Sequence, residues 1–527
     1  MISKLISGAE DGMTRGRKEQ ANIPVLIGCG QITDRRPAET VATPIELMVE
    51  ALRRAAADAG PGQAVLQAAD VLVAIGLTAD SPEGKGLPSY ANVPALVAAE
   101  LGIEPATRLY TAAGGNTPQM LLNLYAERIA SGECETLLLT GAEALAGMLG
   151  RLKQNLDLSG WQSDEGEPPE MVTSDRLAAT PHEMNHGIQL PASVYPLFEN
   201  ALRGRYGEDI ATHQRHMGEL FSRFSRVASE NPLAWFPVER SASELADVSE
   251  TNRYVGFPYT KYLNAIIQVN MGAALIMTSV GRAREMGVAE DRLVYLHGCA
   301  DANDRWYIHE RENYYSSPAI RTIGRKALAM AGRSIDDMDY LDIYSCFPSA
   351  VQIACDELGI AHDDSRGLTV TGGLPYFGGP GNNYVTHSIA TMMDRLRAKP
   401  GAFGLLNANG WFITKHSIGV YSTTPLARPW RREDPAAYRD EALTQPVPPF
   451  TETPQGTATI ETYTVLYGRQ GPERGLVIGR LADGTRFVAN TPDDADTLQE
   501  MVSRDMLGAE GTVSSRDGRN IFSPAGQ

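Results

Sequence analysis

The sequence predicts an α/β protein made of two like halves, followed by a small antiparallel β domain. Three observations carry that expectation. Apolar, strand-like runs alternate with amphipathic helical stretches from residue 22 onward. The order of those elements, including a glycine-rich turn before one helix, occurs twice. Beyond residue 455 the apolar period shortens to two, and Asp-Gly pairs set its spacing.

In the first half, "IPVLIGCGQI" reads as a buried strand, and "PIELMVEALRRAAADAG" as a helix ended by glycine. "VLVAIGL", the helix "ANVPALVAAELG" and the stretch "LYTAAGGNTPQM" follow. In that stretch a short strand stops at Gly114-Gly115 and the helix "LLNLYAERIA" begins at once. Such an elbow presents helix-start amides to a ligand, but this one carries no strong nucleophile. "TLLLTGAEAL" is the next strand. Strands alternating with helices in this way imply parallel β-α-β units.

In the second half, "LVYLHGCADAND" echoes "VLIGCGQITD", and the segment from "GGPGNNYVTHSIA" to "GLLNANG" echoes the elbow, its helix and the strand after it. The likeness implies an internal duplication. The expected boundaries are a mobile tail at 1–21, a first half at 22–149 and 263–290, an insertion at 150–262, a second half at 291–424, a linker at 425–454 and a β domain at 455–527. The insertion is polar and helical, and a long insertion of this kind often covers a binding face. The linker is rich in proline and charge. Asp483-Gly484 and Asp517-Gly518 mark hairpins in the last domain.

Composition narrows the function. Of 527 residues, 47 are Lys or Arg and 64 are Asp or Glu, for a net charge of −17. That balance argues against nucleic acid and anionic membranes as partners. The five cysteines are scattered, as in a reduced cytoplasmic protein. The N-terminus has no signal-like apolar run, and no stretch is apolar enough to span a membrane. "GGLPYFGGPG" does not fit a dinucleotide fingerprint, and no G-x-S-x-G elbow occurs. His182 and His186, in "HEMNH", stand at zinc-like spacing but do not match H-E-x-x-H, so no metal is expected.

The chain resembles the thiolase superfamily over residues 22–424, and most nearly its sterol-carrier-protein-X type. The residues that carry the likeness are "ASGECETLLLTGAEA", "ENPLAWF", "VNMGAALIMTS", "DIYSCFPSAVQ" and "TGGLPYFGGPGNN". With the added β domain, the whole resembles thiolase-like proteins of type 1. The resemblance implies a duplicated five-layer αβαβα fold with an inserted loop domain. It also implies lipid metabolism, coenzyme A thioesters as substrate or ligand, no tightly bound cofactor, and an acyltransferase activity of the acetyl-CoA acetyltransferase kind. Relatives are dimers or tetramers; here a homodimer and a monomer both stay open.

The family's nucleophilic cysteine maps onto Gly115, the histidine of its Gly-His-Pro motif onto Gly379, and its second cysteine near Asn407. Ordinary thiolase chemistry through an acyl-cysteine is therefore not expected. Cys346, His387, His416, Asn407 and Asn409 remain as candidate acid, base or enolate-stabilising groups. Each also has a plainer reading: an inert buried thiol, packed or capping histidines, and turn asparagines. Backbone amides around Gly115, Gly379 and Gly381 are candidates to hold a carbonyl oxygen, because glycine lets a ligand approach the backbone. Arg203, Arg205, Arg223 and Arg226 are candidates for the phosphates of coenzyme A, or else solvated, salt-paired helix faces. Two functions stay open: an enzyme acting next to a thioester carbonyl without an acyl-cysteine, as a retro-aldol lyase would, and a non-catalytic acyl-CoA or lipid-binding protein or subunit.

Overall fold

The repeated order of elements builds a repeated sheet. The computed structural model describes residues 19–81, 84, 86–173 and 176–525. Residues 1–18 of the expected tail lie outside the described residues.

The first half supplies β1 (Pro24–Thr33), β2 (Val71–Ala74), β3 (Thr107–Tyr110) and β4 (Thr136–Ala144). A short β5 (Glu170–Met171) comes from the insertion, which also holds β6 (Tyr254–Gly256) and β7 (Tyr259–Thr260). β8 (Asn270–Ser279) returns to the first half. The second half supplies β9 (Val294–Asn303), β10 (Tyr340–Ile343), β11 (Phe403–Gly410) and β12 (Lys415–Ser422). Together they form one mixed sheet in the order β10-β11-β12-β9-β1-β8-β4-β2-β3-β5.

Counted from the middle, the halves read β1-β8-β4-β2 and β9-β12-β11-β10. In both, the first two pairings are antiparallel and the third is parallel. The halves join where Val25 and Leu26 pair with Tyr295 and Val294.

Helix α1 (Pro44–Ala59) packs on the outer face of the first half. Its start is fixed by a capping box: Thr43 accepts from the Glu46 amide at 3.2 Å, and the Glu46 carboxylate accepts from the Thr43 amide at 2.7 Å. The elbow helix α2 (Thr117–Ser131) lies between the half-sheets, touching β1 and β8 on one side and β9 and β12 on the other. α3 (Pro191–Tyr206) and α4 (Ile210–Glu230) come from the insertion. α5 (Pro318–Ala331) covers the outer face of the second half, and α6 (Pro348–Leu358) follows "YSCF". α7 (Tyr384–Ala398), as long as α2, is its counterpart between the sheets. The layers therefore run α-β-α-β-α.

The last segment holds β13 (Gly456–Tyr467), β14 (Pro472–Leu481), β15 (Arg486–Asn490), β16 (Glu510–Arg516) and β17 (Arg519–Pro524). β13 pairs with both β14 and β16, which closes a ring β13-β14-β15-β17-β16. Two features differ from a separate antiparallel domain. β15 and β17 pair in parallel, and β6 of the insertion adds onto β13 at Gly256–Leu466. The physical reason is a polar dock. Asn200 on α3 donates to the Tyr463 carbonyl at 2.9 Å, and Thr462 donates to the Leu197 carbonyl at 2.6 Å. Buried Arg486 pairs with Glu461 at 2.6 Å and donates to the carbonyls of His309, Arg311 and Glu312 in the second half.

Candidate active site

The elbow opens on a cavity of about 250 Å³. Its wall draws on both halves and the insertion. Thr78 and Gly114-Gly115 come from the first half, Pro191 and Tyr195 from α3, and Tyr344, Cys346, Gly381, Asn409 and Trp411 from the second half. The two elbows are tied together by Asn382. Its side chain accepts from the Gly114 amide at 2.8 Å and donates to the Gly76 carbonyl at 2.9 Å.

Glycine at 115 answers a crowding problem, since its φ is not in the left-handed region. A Cβ there would lie 2.3 Å from the Tyr344 hydroxyl and 2.5 Å from the Asn409 carbonyl oxygen. The expectation that glycine clears room for a ligand is corrected here: protein atoms make the close approach. Tyr344 is packed edge-on against Tyr384, with ring centroids 5.7 Å apart at 89°. No described residue hydrogen-bonds its hydroxyl, which faces the cavity. Burial, with Cys346 and Tyr384 nearby, pushes the phenol well above its usual range, so it stays protonated and acts as a donor.

Cys346 lies two residues beyond Tyr344, in the non-helical stretch before α6. Burial pushes its thiol up to about 12. Asn409 Nδ2 donates to the Tyr195 hydroxyl at 2.9 Å and lies 4.0 Å from the Cys346 sulfur, while its Oδ1 has no partner. The Tyr195 hydroxyl donates to the Trp411 carbonyl at 2.7 Å. Trp411 and Ile413 have φ of 56° and 53°, strained values for side chains of that bulk. Buried Arg311 clamps this turn by donating to the Phe412 and Ile413 carbonyls at 2.8 and 2.7 Å. Lys415 Nζ donates to the Ala113 carbonyl at 2.6 Å.

Of the residues expected from sequence, Gly115, Gly381, Cys346 and Asn409 converge on this cavity. The others do not line it. His387 is buried on α7 with Nδ1 against Gln31 at 2.9 Å, and burial lowers it to about 3. His416 sits on β12 with Nε2 3.1 Å from Asp304 and lines a neighbouring cavity behind the elbow. Asn407 is buried within β11. The amides of Gly379 and Gly381 already donate to the Ile266 and Gly379 carbonyls, so they do not serve as free donors. At the first elbow the Gly115 and Asn116 amides have no acceptor among the described residues.

The arginines are corrected as well. Arg203 is buried and bound to Asp505 of the ring at 2.6 Å. Arg226 pairs with Glu239 at 2.8 Å, Arg223 donates to the His362 carbonyl, and Arg205 lies over the Tyr315 ring. None borders the elbow cavity.

Sequence reasoning missed Tyr344, Tyr195, Trp411 and Glu143. Glu143 is buried, accepts from the Thr78 amide at 2.6 Å, and lies 2.5 Å from where a Gly381 Cβ would stand. Burial raises its carboxyl to about 7. A polar residue inside the apolar run "TLLLTGAEAL" was the available signal for it.

Known proteins place the fold. The model of the thiolase-like protein type 1 additional C-terminal domain matches residues 440–519, and the thiolase C-terminal domain-like model matches 300–380. A crystal structure of a monomeric SCP2-thiolase-like protein type 1 from Mycobacterium smegmatis is 37% identical, covers 96% of this chain and 99% of its own, and superposes with a TM-score of 0.83. A solved complex described as the Ltp2–ChsH2(DUF35) aldolase is 18% identical over 76% of this chain and 98% of its own, with a TM-score of 0.54, a likeness of fold. An acetyl-CoA acetyltransferase of Methanothermobacter thermautotrophicus is 24% identical over 192 residues, which spans 36% of this chain and about half, 47%, of that protein. The chain therefore belongs to the SCP2-thiolase-like proteins of type 1, within the thiolase superfamily, with their additional C-terminal domain.

Proposed function

We propose that the elbow cavity binds a coenzyme A thioester and holds its carbonyl without ever bonding the acyl group to the protein. The observation that supports this reading is the Tyr344 hydroxyl, which stands where a side chain on Gly115 would have to go. A sulfur nucleophile is sterically shut out, while a neutral phenol and Gly115, whose amide has no acceptor among the described residues, border the same space. Those are donors, and donors stabilise a thioester oxygen as it gains enolate charge. Coenzyme A enters as ligand or substrate, in a cytoplasmic protein, and the monomeric state described for the M. smegmatis relative carries over.

A second reading, C–C cleavage of retro-aldol type, is favoured by one feature. A phenol held protonated can give its proton to the α-carbon of the enolate as the Cα–Cβ bond breaks, and the phenolate so formed is restored by the proton that the 3-hydroxyl loses in becoming the carbonyl. The likeness of fold to an aldolase is consistent with it.

Titration calorimetry with acetyl-CoA and a 3-hydroxyacyl-CoA tests both. Binding is expected for wild type and at least tenfold weaker for Tyr344→Phe, with no acyl group retained on the protein by mass spectrometry. No binding at millimolar thioester refutes the proposal. Release of an aldehyde or ketone from the 3-hydroxyacyl-CoA selects the second reading.

A further inference from the structure

We infer that Glu208, His213 and His216 bind one divalent transition-metal cation of the zinc class, at a site separate from the elbow. His213 and His216 share a face of α4, three residues apart, and Glu208 stands just ahead of the helix. One ligand atom from each lies within 4.8 Å of the other two.

Hydrogen-bond bookkeeping fixes the rings from both ends. On the inner side, fully buried Glu199 accepts from the Gln352 amide at 2.6 Å and from the Tyr259 hydroxyl at 2.5 Å. It also takes His213 Nε2 at 2.6 Å, so that nitrogen carries the proton. The Nδ1 lone pair of a neutral His213 is then aimed at Glu208 Oε2, 2.6 Å away. On the outer side, Asp356 accepts from the Tyr206 hydroxyl at 2.8 Å and takes His362 Nε2 at 3.1 Å. His362 Nδ1 is therefore the acceptor for His216 Nε2 at 3.2 Å. That leaves the Nδ1 lone pair of His216 facing Glu208 Oε1 at 3.4 Å.

Two ring nitrogens and a carboxylate thus converge on one point. Something positive must sit there, either two protons or one metal ion. The metal is favoured because each ring already has its far nitrogen held by a fixed partner, a carboxylate for His213 and a second imidazole for His216, as metal-bound histidines do. The spacing agrees. Bonds of 2.0–2.1 Å in a tetrahedron set neighbouring ligand atoms about 3.4 Å apart. The His216–Glu208 distance already matches, and the His213–Glu208 distance opens to it by a turn of the Glu208 side chain, which is 23% exposed. His216 is 29% exposed, so water completes the coordination. The His182–His186 pair offers no comparable set: His186 meets the His182 carbonyl with Nδ1 and accepts from the Asn520 amide with Nε2.

The full-length protein, stripped with a chelator and titrated with Co(II) and then Zn(II), tests the site. One Co(II) per chain is expected, with a visible ligand-field spectrum that Zn(II) abolishes. His216→Ala and Glu208→Gln, both at partly exposed positions, should each weaken uptake at least tenfold, while His182→Ala leaves it unchanged. Glu208→Asp should recover part of the affinity. Failure to take up stoichiometric metal, or uptake unchanged in both His216→Ala and Glu208→Gln, overturns the proposal and leaves a cluster held by two protons. Circular dichroism of each variant confirms that lost binding is not lost folding.

Discussion

Gly115→Ala puts the reading of the elbow at risk with a single methyl group. That carbon would start 2.3 Å from the Tyr344 hydroxyl and 2.5 Å from the Asn409 carbonyl. Comfortable contact needs about 3.5 Å, so two neighbours must withdraw by roughly 1 Å each. Neither does so readily. Tyr344 is buried against Tyr384, and Asn409 is held in register opposite His416 on β12. Overpacking of this kind costs about 1–3 kcal/mol, and a backbone clash puts this case at the upper end. Gly115→Cys carries the same Cβ plus a sulfur, so it should be no more stable and should not restore an acyl-enzyme. Removing the hydroxyl with Tyr344→Phe gives partial rescue, because the ring carbon at 2.9 Å and the Asn409 oxygen remain. The assay is denaturant unfolding of the four proteins in one buffer, with mass spectrometry of Gly115→Cys after incubation with acetyl-CoA. Gly115→Ala as stable as wild type, or an acetylated Cys at 115, refutes the claim that the nucleophile's place is filled.

Three further outcomes follow from the same geometry. With its thiol at about 12, Cys346 has on the order of one thiolate in ten thousand at pH 8, so native protein should leave it unalkylated by iodoacetamide while unfolded protein does not. Glu143 is raised by burial from the ordinary carboxyl value to about 7, so the folded state holds its proton more tightly than the unfolded chain. Its contribution is complete below pH 4.5 and is lost as pH rises through 7; a Glu143→Gln variant should gain on wild type by about 3 kcal/mol from pH 5 to 8, read as the difference in unfolding midpoints. Arg486→Met leaves three carbonyls without their donor and Glu461 with Arg480 alone, and should cost about 1–3 kcal/mol, visible as early release of the C-terminal ring in limited proteolysis.

Local chemistry was the legible part of this chain. Asp517 and Gly518 both take positive φ, 53° and 74°, as an Asp-Gly hairpin requires, and the turn joins β16 to β17. The two elbows were legible because glycine runs interrupt strongly periodic stretches. Long-range pairing was not. Nothing in β13 announces that it bonds β14 and β16 at once, or that Gly256 in the insertion extends it. The site was half legible for the same reason. Gly115 could be placed by counting, but the hydroxyl above it belongs to the other half of the chain. The arginines misled because charge on a helix face does not say what faces it: Asp505, which neutralises Arg203, arrives with the C-terminal ring.

The loss of a nucleophile has two physical outcomes that leave different marks. A side chain deleted without compensation leaves a void, whose lining loses its contacts and weakens the fold. Here the place of the missing side chain is filled, because a phenol occupies it beside the cavity and is braced by a second tyrosine. The surrounding turn is strained at Trp411 and Ile413 and is clamped by Arg311 and Tyr195. Holding strained backbone with a buried guanidinium is costly, and it serves to fix the direction of groups at a cavity wall. A site that had merely fallen out of use would have no need of that rigidity. The filled elbow and the clamped turn together describe a cavity still shaped to present donors, with covalent chemistry excluded by the same atoms that give it its shape.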